Sequence, residues 1–287
     1  MAEEGHEHID LFEKLPQECI EEVVLRVGPM EACRLSAVCK RFLSAAESDF
    51  VWDRFLPSDY QQLRARADAF PNIKFAYKKD VFLFLSGNHV SMDGNTMVIL
   101  LAPLLFSFWL SKRTGKKCFL TAVSIIDDTE EDDGWSRLEV EISRVQDCFA
   151  LCQCVELFRI QGKISTSVLS PNTTYTIYVV CHSQEYVLNY HFDEPVEVSI
   201  AIDGVESIKH IVYLDPRKMR SEGDNDLQYP QQRKDDRFEV QLGEYFNKGG
   251  EEVNLEITMM EVKSGKPKTG PTIEGFEFRP RRTNAVS

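Results

Sequence analysis

LPQECIEEVVLRVGPMEACRLSAVCKRFLSAAESDFVWDRFL, the stretch from Leu15 to Leu56, has a helical pattern that sets it apart from the β-rich remainder of the chain. Pro16 suits the first position of a helix, because its missing N–H has no acceptor there and its φ is already helical. Gly28 and Pro29 end this helix. Its apolar side chains recur with helical spacing at Cys19, Ile20, Val23, Val24 and Val27.

Three more short helical segments are predicted in the same stretch, over residues 30–37, over 38–46, and from a cap at Ser48 or Asp49 onward. About forty residues are too few to bury so many apolar side chains internally. Surplus apolar side chains on short helices indicate that a partner's groove, or another domain of the same chain, covers them. On the pattern alone, an ordinary N-terminal helical subdomain is the simpler interpretation.

Motifs in this stretch resemble those of the F-box family. They are Leu15-Pro16, Val23-Val24, and the run Val38-Cys39-Lys40-Arg41-Phe42, which resembles the family's V-C-K-R-W. The ending DFVWDRFLPSDY, residues 49–60, is similar to plant F-box proteins that carry a phloem protein 2-type lectin domain. The resemblance implies a module that docks on the Skp adaptor, and through it on the cullin, of an SCF-type (Skp, cullin, F-box) ubiquitin ligase. The adaptor contacts that it implies, each of which can instead be internal core, are Leu15, Pro16, Ile20, Val23, Val38, Cys39 and Trp52.

Length and charge limit the number of domains and the kinds of partner that the chain can have. A chain of 287 residues suffices for one large domain or two smaller ones. Its 33 basic and 46 acidic residues give a formal net charge of −13. This balance argues against nucleic acid or an anionic membrane as the main partner, because both select basic surfaces.

The cysteines indicate a reducing compartment. The acidic start, residues 1–14, does not resemble a secretory signal. The eight cysteines are therefore expected to be reduced thiols in the cytoplasm or nucleus. The closely spaced Cys148, Cys152 and Cys154 lack a convincing second pair of ligands, so we expect buried thiols rather than a metal site. No cofactor is predicted.

Residues 58–115 are predicted to be a connecting region. Leu63, Ala67 and Phe70 share one helical face, which predicts a helix that packs the F-box onto the C-terminal part of the chain. The apolar run MVILLAPLLFSFWL, residues 97–110, permits three interpretations: a buried strand or helix, a membrane-associating segment, or an insertion from an intron. The run is shorter than the ~20 residues of a spanning helix, and Pro103 interrupts it. We interpret Val98–Phe106 as an insertion by origin and as a buried element in the folded chain.

From Cys118 onward the pattern is that of β-strands. Apolar and polar residues alternate over residues 138–143, 196–203 and 252–259, as in antiparallel strands that are half exposed to water. Turn residues between about nine such strands favour a sandwich or barrel. The charged run from Asp215 to Arg237 has almost no core-forming residues, which predicts a mobile loop, with a segment that orders over a ligand as the alternative.

Residues from about Lys116 to Arg281 resemble the phloem protein 2 or Nictaba lectin domain, a β-sandwich. The matching stretches are VELFRIQGKI (155–164), LSPNTTY (169–175), FEVQLGEYF (238–246) and IEGFEFRPR (273–281). The resemblance implies binding of N-acetylglucosamine oligomers and related N-glycans, with tryptophans stacked on the sugar.

The sugar-binding motif departs from the family pattern. Asp127 and Arg137 stand at two of the family's tryptophan positions, which leaves Trp135, with Asp133 beside it, as the carbohydrate-binding candidates. Arg237 stands where the family often has the tryptophan of D-G-W-M-E. A working sugar site and a divergent or lost one are therefore both open, because function depends on the site rather than on the fold.

The sequence thus predicts an α+β chain: an all-α F-box (10–57), a connecting region (58–115) and an all-β antiparallel, jelly-roll-like sandwich (116–282). The predicted function is a non-catalytic substrate receptor of an SCF-type ligase, whose sandwich recruits a target protein with or without N-glycans. No G-x-S-x-G, H-E-x-x-H or phosphate-loop motif supports an enzyme. The alternatives are a lectin that acts without the ligase and a divergent lectin-like protein-interaction module.

Overall fold

The computed structural model describes residues 14–66, 73–92, 106–125, 135–138, 149–152, 158–182, 192, 194–217, 228–235, 237–262 and 272–281. Helices come first along the chain and strands follow, which confirms the α+β prediction. Within the described residues the helices are α1 (Gln17–Val27), α2 (Pro29–Leu35), α3 (Lys40–Glu47), α4 (Asp49–Phe55), α5 (Tyr60–Arg66) and α6 (Lys78–Gly87). None of these helices has the length and apolar character that crossing a membrane requires.

The first four helices agree with the four segments that the pattern of residues 15–56 predicts. Pro16 lies one position before α1, with extended ψ of 150°, rather than at the first helical position. Its carbonyl accepts the N–H of Cys19 at 3.1 Å and so starts the first turn. Gly28, at φ 87°, separates α1 from α2, a conformation that favours glycine.

Helices α4 and α6 join the N-terminal helices to the rest of the molecule. The ring of Trp52 lies 5.4 Å from that of Phe55 and 5.2 Å from that of Phe82, between centroids. Ion pairs from α6 to the N-terminal helices reinforce this contact, from Lys78 to Asp53 and from Lys79 to Glu47. The connecting helix that the sequence predicts corresponds to α5, where Leu63 is buried, while Ala67 and Phe70 lie outside the described residues.

Two antiparallel sheets make up the rest of the described chain. The larger follows the order β1-β2-β3-β14-β8-β12-β11, with β6 also paired to β14 and β5 to β6; the smaller follows β10-β9-β13-β7-β4. The strands are β1 (Val90–Met92), β2 (Phe106–Leu110), β3 (Lys117–Thr121), β4 (Ser124–Ile125), β5 (Trp135–Leu138), β6 (Phe149–Cys152), β7 (Arg159–Ser165), β8 (Thr173–His182), β9 (Val196–Ile202), β10 (Val205–Val212), β11 (Gln231–Gln232), β12 (Arg237–Asn247), β13 (Asn254–Glu261) and β14 (Thr272–Pro280).

The alternating sequence pattern places one apolar face of each sheet inside. Val196, Val198 and Ile200 on β9 are buried, and Leu255 and Ile257 are buried beside them on β13. Their polar neighbours in sequence are partly exposed. The period-two pattern therefore predicts both strands and their buried sides correctly.

Gly162 on β7 shows how closely the two sheets approach. A Cβ at this position would stand 2.3 Å from Cδ2 of Phe276 on β14, in the opposite sheet. The fully buried Phe276 ring occupies the space that a side chain would need. Only glycine fits here without displacing a core aromatic ring.

Gly162→Ala is expected to lower the free energy of unfolding by about 1–3 kcal/mol, the range typical of overpacked cores. Urea denaturation followed by far-ultraviolet circular dichroism measures this change. Gly87→Ala is the control, because a Cβ there meets nothing within 4 Å and alanine favours the helix that it ends. Equal stability of the two variants would contradict this packing.

The apolar run 97–110 ends in a buried strand. Its last five residues form β2, which pairs with β1 on one side and β3 on the other, and Phe108 and Leu110 are buried. The strand interpretation is therefore confirmed for Phe106–Leu110, with burial shown for Ser107, Phe108 and Leu110, while residues 97–105 lie outside the described part of the chain. The larger sheet thus also contains strands that precede Lys116.

The charged run 215–237 is ordered at its described ends, contrary to the prediction of a mobile loop. Asp215 is buried and accepts hydrogen bonds from the Arg217 guanidinium at 2.8–3.2 Å. Gln231 and Gln232 form β11 against β12, and Arg237 is itself a buried residue of β12. At these ends the prediction was wrong, because ion pairing and strand pairing replace the apolar contacts that composition measures. Residues 218–227, the middle of the run, lie outside the described residues.

Candidate protein-binding face

Helix α1 carries two apolar ridges that have different environments. Ile20 and Val24 are buried in the core. Cys19, Val23 and Val27, at i, i+4 and i+8, follow one another on a solvent-exposed ridge. The helical stripe in the sequence is therefore too wide for a single contact, and the helix can bury one ridge internally while it presents the other.

Exposed apolar side chains continue beyond α1. We call the following six residues of the N-terminal helices and their turns the exposed apolar set: Leu15, Val23, Val27, Val38, Leu43 and Phe50. Their exposed fractions run from 40% for Leu15 to 67% for Val38. Such a concentration of large apolar side chains within one short helical region is a common mark of a protein-binding surface.

Local hydrogen bonds fix the turns that carry Leu15 and Val38. The Arg41 guanidinium donates to the carbonyl of Leu15, which ties the start of the helical region to α3. The N–H of Val38 donates to the carbonyl of Leu35 at 2.9 Å, so the turn between α2 and α3 holds this valine outside the core. Both side chains are thus presented on ordered backbone.

The structure divides the seven sequence candidates for adaptor contact. Leu15, Pro16, Val23 and Val38 are exposed, and Cys39 is half-buried at the N-cap of α3. Ile20 and Trp52 are 1% and 0% exposed. The internal-core alternative holds for these two side chains, which offer almost no surface to a partner.

The buried position of Trp52 follows from its partners. Its indole N–H donates to the carbonyl of Ala46 at 2.7 Å, which satisfies the one polar atom of the ring. Three further exposed apolar residues, Val27, Leu43 and Phe50, are not among the seven sequence candidates. The four-residue spacing of Val27 from Val23 was the signal for the first.

Of the two sugar-binding candidates in the sandwich, the structure describes only the backbone of Trp135. Trp135 begins β5, where its backbone pairs with Cys152 of β6 in the larger sheet. Its side chain and the whole of Asp133 lie outside the described residues. The proposed pairing of these two residues around a sugar therefore stays a prediction.

Arg237, at the family's tryptophan position, belongs to a buried ion pair. Its Nε donates to Oε2 of Glu274 on β14 at 2.8 Å, and the two side chains are 7% and 0% exposed. A further contact joins its guanidinium to Asp235 at 3.2 Å. With so little of its side chain exposed, Arg237 offers almost no surface on which a sugar could stack in place of an indole.

Further ion pairs extend this cluster across the same sheet. Arg233 donates to Glu239 at 2.9 Å and to Glu277 at 3.0 Å. Arg279 pairs with both of these carboxylates, and its guanidinium lies 3.7 Å from the ring centroid of Tyr178. These charges stabilise one another in a region where isolated charges would be costly.

Metal and thiol chemistry has little support among the described residues. No group of three or more His, Cys, Asp or Glu side chains there could hold a metal ion. Burial raises the pKa of the Cys118 and Cys181 thiols well above the ordinary value, which keeps them neutral and weakly nucleophilic. Cys148 and Cys154 lie outside the described residues.

Two family models match the chain in succession. The F-box domain model matches residues 12–54, and the phloem protein 2 model matches residues 116–280. The F-box match covers α1 to α3, all but the last residue of α4 and all six residues of the exposed apolar set, while the second match covers most of both sheets.

Similar proteins have the same two parts in the names they carry. Putative F-box protein PP2-B2 of Arabidopsis thaliana is 33% identical over 278 residues, which covers 95% of this chain and 84% of the relative. Putative F-box protein PP2-B12 of the same plant is 33% identical, covering 94% of this chain and 98% of the relative. F-box protein PP2-B10 is 30% identical, covering 94% of each.

Proposed function

This chain belongs to the family of F-box proteins that carry a phloem protein 2 domain, and on that premise we propose that it is the substrate receptor of an SCF-type ubiquitin ligase. The N-terminal helices bind the Skp adaptor, and through it the cullin. The sandwich recruits the protein to be ubiquitinated, with or without N-glycans. The receptor supplies no chemistry of its own and works in the cytoplasm and nucleus.

The observation that supports adaptor binding most directly is the exposed apolar set. Full burial of an exposed valine, leucine or phenylalanine contributes about 1.5–3 kcal/mol. A helical module whose core already contains Ile20, Val24 and Trp52 does not need these further side chains for its own stability. A groove on a partner would use them, as in other helix-in-groove contacts.

Rigid attachment of the helices to the sandwich supports the receptor role. Nζ of Lys117, at the start of β3, lies 2.9 Å from Asp59, just after α4. Gly115, at φ 69°, packs so closely that a Cβ there would stand 2.6 Å from the carbonyl oxygen of Phe55. A receptor that holds its target at a fixed place relative to the ligase needs such a junction.

Co-elution with purified Skp adaptor in size-exclusion chromatography tests this function. The expected result is a heterodimer that survives dilution into the nanomolar range. A well-folded chain that elutes alone at every adaptor concentration would contradict the proposal.

The sandwich is expected to give no signal above background with N-acetylglucosamine oligomers on a glycan array. The reason is that Arg237, engaged by Glu274, replaces an aromatic residue that would stack on the sugar. A phloem protein 2-type lectin that keeps the family's tryptophans serves as the positive control. Specific binding by this chain would instead support the carbohydrate-binding alternative and glycan-directed recruitment of the target.

A further inference from the structure

A cleft of about 1180 Å³ lies where the N-terminal helices meet the sandwich. Its described walls come from five separate parts of the chain: the junction of α1 and α2, the end of α4, Ser86 of α6, strands β2 and β3 with the turn between them, and the end of β14. The turn is seated tightly, since a Cβ on Gly28 would stand 2.7 Å from the carbonyl oxygen of Arg113. The cleft is thus preformed by packed backbone.

Basic residues dominate the described walls of this cleft. They contribute six cations against one carboxylate, Glu31, which itself pairs with Arg34 at 2.7 Å. The whole chain has the opposite balance, with 46 acidic and 33 basic residues. The cleft is therefore a local positive site in an acidic protein. The six basic residues are Arg26, Arg54, Lys112, Arg113, Arg279 and Arg281.

The six cations differ in their present partners. Arg54 lies over the ring of Phe50, 4.9 Å from its centroid. Arg279 and Arg281 contact carboxylates of the sandwich at 2.8 and 3.0 Å. Arg26, Lys112 and Arg113 form no ion pair with any residue of the described chain. All three are exposed and flank the seam between α1 and the β2–β3 turn. Their charges are available to an anionic partner.

Apolar side chains share the cleft with these charges. Phe55 and Pro29 line its helical side, and the half-buried Trp109 lines its sandwich side. A binding site that combines a few converging charges with an apolar floor suits a flexible peptide that has both acidic residues and an apolar anchor.

We propose that this cleft binds an acidic peptide segment of a partner protein, one that carries an aromatic or aliphatic anchor residue. Carboxylates of the segment pair with Arg26, Lys112 and Arg113, and the anchor lies against Phe55 or Trp109. Nucleic acid is disfavoured because its phosphate charge continues beyond the cleft and over the acidic remainder of a chain of net charge −13, whereas a short segment can keep its carboxylates within the cleft. The isolated chain is expected to bind such a peptide, whether or not it also binds the Skp adaptor.

Fluorescence anisotropy on the full chain tests this peptide binding. The probe is a fluorescein-labelled peptide of repeated Glu-Gly units around one phenylalanine, and the comparison peptide has glutamine in place of every glutamate. We expect saturable binding of the acidic peptide that weakens as salt is added, and no binding of the glutamine peptide. Arg26→Glu/Arg113→Glu is expected to weaken binding about tenfold or more, since like charges across an interface repel strongly.

Lys234→Glu/Lys248→Glu is the matched control, because it makes the same change in net charge at two exposed lysines of the sandwich turns. Its affinity for the acidic peptide is expected to stay within about twofold of the parent. Circular dichroism and thermal melting confirm that both variants fold. Absence of peptide binding, equal weakening in the two variants, or tighter binding of a single-stranded oligonucleotide of equal charge would each overturn the proposal.

Discussion

Val23→Glu/Val38→Glu is expected to abolish capture of the Skp adaptor while the chain remains folded. The two valines are 45% and 67% exposed, so a carboxylate at either position stays hydrated in the free chain. In a complex that covers these positions the same carboxylate loses its water and faces apolar groups, which costs several kcal/mol and weakens binding by at least about a hundredfold. Surface plasmon resonance on immobilised adaptor measures the loss.

The control for this experiment is Val205→Glu/Val262→Glu. These valines lie in the sandwich, on β10 and just after β13, and are 71% and 46% exposed. The control therefore matches the test in residue type, exposure and added charge. We expect it to bind the adaptor like the parent, with thermal unfolding of both variants within a few degrees of the parent. Retained binding by Val23→Glu/Val38→Glu would place the adaptor contact elsewhere.

Hydrophobic periodicity predicted the secondary structure well because it records which side of an element is buried. The four helices of residues 15–56 and the strands β9 and β13 follow directly from it. Periodicity does not say what covers the buried side. Ile20 and Val23 are equally good members of the apolar stripe on α1, yet one is 1% exposed and the other 45%. The packing of the neighbouring helices, which no local pattern contains, makes that distinction.

Charged residues explain why the predicted loop over residues 215–237 was wrong at its described ends. Composition treats Arg237 as a residue that prefers water, whereas its partner Glu274 lies 37 positions later, on a strand of the same sheet. Pairing across that distance converts two charges that would each be costly to bury into a stable buried contact. A single sequence cannot reveal such a pair, because the strand order that brings the two residues together is itself not local.

The exposed apolar set and the basic cleft differ in how far each could be recognised from the sequence. The exposed apolar set comes from one continuous stretch, so its resemblance to an F-box could be recognised in the sequence. The basic cleft draws Arg26, Arg113 and Arg281 from three distant segments. Two of these segments are locally basic, KRTGKK (112–117) and RPRR (279–282), but nothing in the sequence indicates that they meet each other or Arg26. Sites of the second kind become visible only when the helices and the sandwich are packed together.

Trp52→Ala is expected to lower the free energy of unfolding by about 3–5 kcal/mol, the cost of removing a large buried aromatic side chain. Trp52 is fully buried, its ring contacts those of Phe55 and Phe82, and its indole N–H satisfies the carbonyl of Ala46. The substitution therefore leaves a cavity between α4 and α6 and an unsatisfied buried acceptor. Urea denaturation followed by circular dichroism measures the change.

Phe50→Ala, two residues earlier on α4, separates internal packing from partner contact. Phe50 is 46% exposed, so its removal is expected to cost less than about 1 kcal/mol of stability but to weaken adaptor binding. Trp52→Ala should show the opposite effects. Its stability falls strongly, while the fraction that stays folded binds the adaptor with an affinity close to that of the parent. If Trp52→Ala instead kept its stability and lost the adaptor, Trp52 would be a contact residue, and the assignment of its side chain to the core between α4 and α6 would be wrong.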